Sequence, residues 1–81
     1  MRYTVRIDVT HLPGVLDPQG ATVERALPAL GYDNVSDVSI AKTIRLALDA
    51  PSESAARDQV EAMCQQLLAN PVIESYRIVL A

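Results

Sequence analysis

At the start of the chain, apolar and polar residues alternate strictly: Tyr3, Val5, Ile7 and Val9 alternate with Arg2, Thr4, Arg6, Asp8 and Thr10. Successive side chains of a strand point to opposite faces, so this period of two predicts a half-buried strand. Pro13-Gly14 ends it, because proline has no N–H for a ladder and glycine admits turn geometry. In the stretch Gly14-Val15-Leu16-Asp17-Pro18-Gln19-Gly20 the period changes. Asp17 reads as a helix N-cap, its carboxylate accepting from free backbone N–H groups, and Pro18 as the first helical residue, where its fixed φ fits. Val23, Ala26, Leu27 and Leu30 then recur at helical spacing. Pro28 removes one helical hydrogen bond, so a helix of about three turns is expected to kink or loosen before Gly31 closes it.

The middle of the chain offers a choice. Val38, Ile40, Ile44, Leu46 and Leu48 share one parity, and Lys42 interrupts that face. One long strand keeps them together; a hairpin at Ala41-Lys42 would divide them. The parity is continuous and neither residue favours a tight primed turn, so a single strand, bent or bulged, is expected. At a dozen residues it would span roughly 40 Å, more than a small domain covers alone, so its far end is expected to be covered by another copy.

Ser52 then caps a second helix, whose apolar stripe is Ala56, Val60, Met63, Cys64, Leu67 and Leu68. Asn70-Pro71 ends it, with Asn70 suited to the left-handed position, and Val72–Leu80 forms the last strand. The order is β-α-β-α-β. It predicts one α+β domain over residues 1–81: a three-stranded antiparallel or mixed sheet with a long central strand and two helices on one face, related to the ferredoxin-like topology.

Composition adjusts this picture in two ways. The chain has 81 residues, and a domain of that size hides only about 60–65% of the surface its unfolded chain exposes, which favours oligomerisation. Its 49% apolar content marks it as globular, while the net charge of −3 and the spread of seven basic residues along the chain argue against nucleic acid. Tyrosine is the only aromatic, so the exposed Phe and Trp of RNA-binding sheets are missing as well. No apolar run approaches a membrane span, and a lone Cys64 without a secretory leader points to a cytoplasmic protein.

Candidate chemistry is sparse. His11 is the only histidine and has no ligand or catalytic partner at a suitable spacing. Cys64 lies on an apolar stripe, where a thiol behaves as a small hydrophobe. The aspartates form no acid/base or metal spacing, and no glycine-rich phosphate loop is present. For Lys42, snorkelling or a turn position stands beside contact with a partner's carboxylate. Gly20 is harder to explain locally, because glycine at the third helical position costs about 1 kcal/mol relative to alanine. A backbone or a partner approaching closely would account for it, with Gln19 able to donate and accept across the contact.

Taken together, Leu16-Asp17-Pro18-Gln19-Gly20, Ser36-Asp37-Val38 through Lys42, Met63-Cys64, and Leu67 through Glu74 with Tyr76-Arg77 resemble the PurS subunit of phosphoribosylformylglycinamidine (FGAM) synthase. Ala41 departs from the glycine usual before the lysine, which disfavours a tight turn there. Pro28 departs from the usual helix. The resemblance implies a non-catalytic subunit of a glutamine-dependent, ATP-consuming C–N ligase of purine biosynthesis. It implies a homodimer, with dimer against dimer of dimers left open, that joins the glutaminase PurQ to the synthetase PurL and assists ammonia transfer. It implies no cofactor or metal on this chain, while the assembled enzyme uses ATP and Mg. Asp17, Gln19, Gly20 and Lys42 are the expected partner contacts, and Val38, Ile40, Ile44, Leu46 and Leu48 the expected dimer interface. A stand-alone ferredoxin-like ligand-sensing module is the alternative that the same topology allows.

Overall fold

The computed structural model describes residues 1–80. Strand β1 (Arg2–His11) is followed by helix α1 (Pro18–Ala26), strand β2 (Lys42–Asp49), helix α2 (Glu53–Met63) and strand β3 (Glu74–Leu80). The sheet order is β2-β1-β3, with both pairings antiparallel. The longest strand is therefore central, as expected, but it is β1; the segment expected to be long supplies only an edge strand.

Register carries the alternation of β1 across the sheet. Val5 lies opposite Leu46 and Leu80, Ile7 opposite Ile44 and Ile78, and Val9 opposite Lys42 and Tyr76. Val5, Ile7 and Val9 are buried, and with Val60, Cys64 and Ala69 they form the core, onto which Ile44, Leu46, Leu48, Leu68, Tyr76, Ile78 and Leu80 pack. Burying each of the three central β1 side chains is worth about 1.5–3 kcal/mol.

The helical half of this core comes from α2 and its continuation. Ser52 caps α2, its hydroxyl accepting from the Ala55 N–H at 3.1 Å. Past Met63 the helix widens into a π-type turn, Cys64–Leu68, in which the Ala69 N–H reaches the Cys64 carbonyl at 3.0 Å. The extra residue in that turn rotates Leu67 off the predicted stripe, and it is 83% exposed. Asn70 does not take the left-handed conformation; among the described residues, the non-glycine residue with positive φ is Asp37. Instead, the Asn70 backbone carbonyl accepts from the Ile73 and Glu74 N–H groups and its side chain from the Val72 N–H. That turn consumes Val72 and Ile73, so β3 begins two residues later than the apolar run suggests.

Helix α1 departs further from expectation. Asp17 and Pro18 open it as predicted, and Pro28 ends it by forcing a short 3-10 turn, Pro28–Leu30, closed by Gly31 at φ 97°. Yet among the described residues it contributes nothing to the buried core: Val23 and Leu30 are exposed, and Gly20 is its buried residue. The helical side of the core therefore comes from α2 and its continuation. With α1 off the sheet, the molecule measures 52 × 24 × 14 Å and its radius of gyration is 16.5 Å, against about 12 Å for a compact chain of this length.

Candidate functional site

The corner between α1 and β2 is built from two carboxylates. Asp17 receives the Gly20 N–H at 2.9 Å on one oxygen and the Ile40 N–H at 2.8 Å on the other. Glu24, about two turns further along α1, receives the Val38 N–H at 2.8 Å. These bonds explain why Val38–Ala41 is not strand: the Val38 and Ile40 N–H groups are spent on carboxylates at α1 instead of on a neighbouring strand, and Asp37, at φ 59°, has already turned the chain. The expected long strand from Val38 is therefore replaced by a pinned loop and a strand starting at Lys42, with no hairpin at Ala41-Lys42.

Gly20 has its reason in the same corner. A Cβ there would lie 2.6 Å from Asp17 Oδ2 and 2.7 Å from the Val38 carbonyl oxygen. The close approach foreseen from the sequence is thus made by the chain's own backbone. Gln19 next to it is exposed. The two N–H donors, Gly20 first and Ile40 second, hold the Asp17 carboxyl below its ordinary pKa.

Lys42 opens β2 on the core side of the sheet, and its ammonium lies 3.7 Å from Glu74 Oε2 across β1. Glu74 is mostly buried and its other oxygen receives the Asn70 N–H at 2.8 Å, so the lysine answers a carboxylate of its own chain. His11 sits opposite Glu74 at the end of β1. Cys64 is fully buried; burial, and then the charge of Glu61, push its thiol pKa up. Tyr76 donates to Glu61, and that hydrogen bond is the first cause of its raised pKa. Among the described residues no three His, Cys, Asp or Glu side chains gather as metal ligands, and no helix is long and apolar enough to cross a membrane.

Two sheet surfaces remain available. On the core side, α2 packs over β3, and Ile44, Leu46 and Leu48 of β2 stay only half-buried. On the far side, register gathers Arg2, Arg6, Arg45 and Arg77 with Thr4, Asp8, Thr10, Thr43, Asp49 and Ser75. Residues 2, 6, 45 and 77 look scattered in the sequence. The strand parity of each was legible, but only register puts Arg6 directly opposite Arg45 and Asp8 opposite Arg77.

Among the described residues the geometry thus offers surfaces and gathers no metal-ligand cluster. The family profile of PurS, phosphoribosylformylglycinamidine (FGAM) synthase, matches residues 4–81. The PurS subunit of that synthase from Synechocystis sp. is 55% identical over 91% of this chain and 74% of its own length. Its counterpart from Methanocaldococcus jannaschii is 41% identical over 94% of this chain and 92% of its own. In the structure of PurLQS from Thermotoga maritima, one chain superposes with a TM-score of 0.89 at 32% identity, covering 100% of this chain and 99% of that one.

Proposed function

This chain belongs to the PurS family of FGAM synthase subunits, and from that premise we propose that it works as the small, non-catalytic subunit of the synthase in purine biosynthesis. The observation that carries this is its match, over its whole length, to a chain of a PurLQS assembly. Its partners are then the synthetase PurL and the glutaminase PurQ. The assembled enzyme uses glutamine, ATP and Mg, with nucleotide and metal held outside this chain, in the cytoplasm. The chain acts as a single domain that helps the two larger subunits dock, so that ammonia passes between them without escaping.

A homodimer belongs to the same reading. Ile44, Leu46 and Leu48 are half-buried on a β2 face that α2 leaves partly uncovered, and Val38 and Ile40 continue the apolar line along the pinned loop. We place these five at the contact between copies, where a second chain would complete their burial. The corner of Asp17, Gln19 and Gly20, with Lys42 beside it, is proposed to meet a larger subunit. Gln19 makes the contact there, since Asp17, Gly20 and Lys42 are already committed within the chain.

The test is co-purification of the tagged chain with PurL and PurQ in the presence of glutamine and nucleotide. A ternary complex supports the proposal; recovery of the chain alone refutes it.

A further inference from the structure

We infer that the open face of the sheet, centred on Arg6 and Arg45, is a docking surface for a carboxylate-bearing surface on one of the larger subunits. The inference rests on the assembly role proposed above. The face carries Arg2, Arg6, Arg45 and Arg77 against Asp8 and Asp49, so it is positive by two charges on a chain whose net charge is −3. Among the described residues, Arg6 has an ion pair, 3.3 Å to Asp8, whereas Arg45 and Arg77 have none.

Arg6 and Arg45 are Cα partners across the β1–β2 ladder. Like charges placed directly opposite each other in a sheet work against its stability. A shallow hollow lined by Thr4, Val5, Arg6, Arg45 and Val79 opens between them. One carboxylate seated there would answer both guanidinium groups with charge-assisted hydrogen bonds, turning a repulsive pair into a two-armed clamp.

A protein carboxylate fits this face better than a nucleic acid does. No aromatic side chain stands on it for a base to stack on, and Asp8 and Asp49 interrupt any phosphate track. The face also lies opposite the half-covered apolar side of β2, so a second copy and a larger subunit could be held at once.

The experiment uses the full chain with each larger subunit singly and with both together, at low and raised salt. Arg45→Glu and the double variant Arg45→Glu with Arg77→Glu are compared with Arg57→Glu, on the exposed side of α2. Arg45 is exposed and, among the described residues, has no ion pair, and its reversal relieves Arg6, so the variant keeps the fold. The expected result is a Kd for the complex raised about tenfold or more in both face variants, a shallower salt dependence, and no change in Arg57→Glu.

Wild-type affinity in both face variants overturns the inference while leaving the assembly role intact. A change of oligomeric state in Arg45→Glu, or retention of a labelled single-stranded oligonucleotide by the wild-type face, overturns it in favour of another occupant. If the wild-type chain joins neither subunit, the assembly role fails and this inference fails with it.

Discussion

The backbone of Gly20 passes so close to the carbonyl of Val38 that a Cβ on residue 20 would sit 2.7 Å from that oxygen. An outlying helix is thereby held to the loop leading into β2 by backbone contact and two carboxylates, with almost no buried apolar surface behind it. Replacing glycine by alanine inside a helix ordinarily gains about 1 kcal/mol. At Gly20 the clash reverses the sign, and Gly20→Ala is predicted to destabilise the corner by about 1–3 kcal/mol. Amide exchange at Val38 and Ile40 is the readout: both should exchange faster than in the parent chain, and unchanged protection would contradict the geometry.

Asp17 makes that corner acid-sensitive. Its carboxyl titrates below the ordinary value because the Gly20 and Ile40 N–H groups bind the charged form. A group whose folded pKa lies below its unfolded one gives stability that is whole above the unfolded value, about 3.9, and lost as pH falls through the folded value. Protection of the Ile40 amide should therefore hold from neutrality down to about pH 4 and fade below it. In Asp17→Asn the protection should be weaker at neutral pH and its acid limb flatter. An identical acid limb in both proteins would count against Asp17 as the clamp.

How far this corner was legible in the sequence follows from what each feature depends on. Asp17-Pro18, Ser52 and the β1 alternation are local signals, decided by capping geometry and side-chain period, and all three stand where the sequence puts them. The Val38–Leu48 run misleads because parity alone cannot tell a paired strand from an extended loop. What decides is where the N–H groups go, and Val38 and Ile40 give theirs to Glu24 and Asp17 across 14 and 23 residues of chain. The same limit hid which group approaches Gly20, the Val38 carbonyl, and the meeting of Arg6 with Arg45, both of which are long-range facts. Leu67 was misplaced for a different reason: a constant helical period does not anticipate a π-type turn.

Substitutions separate the proposed dimer contacts from core contacts. Ile44 and Leu46 pack against buried residues of their own chain, so an aspartate at either place should cost several kcal/mol and unfold the protein instead of releasing a folded monomer. Ile40 is 36% exposed and stands outside the core cluster, and Ile40→Lys should leave the circular dichroism spectrum unchanged while light scattering reports dissociation. A Leu46→Asp protein that stays folded and dimeric, or an Ile40→Lys protein that stays dimeric, would displace the proposed interface.

Cys64 should be chemically silent. Fully buried, with its pKa raised by burial, it lacks both the access and the thiolate that reaction requires. A thiol reagent should leave the native chain unmodified at neutral pH and label it once in denaturant. Cys64→Ser should cost about 1–3 kcal/mol, since a hydroxyl would be buried where a thiol now packs against Val60 and β1. Rapid native labelling would show that the α2 end opens far more readily than its packing implies.

The central claim is that this chain contributes contact and no chemistry. Reconstituting PurL and PurQ with and without it, and assaying the synthase with glutamine and with free ammonium as alternative nitrogen sources, tests that claim most directly. Without the chain, glutamine-dependent formation of the amidine product should collapse while ammonium-dependent formation by the synthetase persists; adding the chain back should restore the glutamine reaction. Equal glutamine-dependent rates in its presence and absence would contradict the claim.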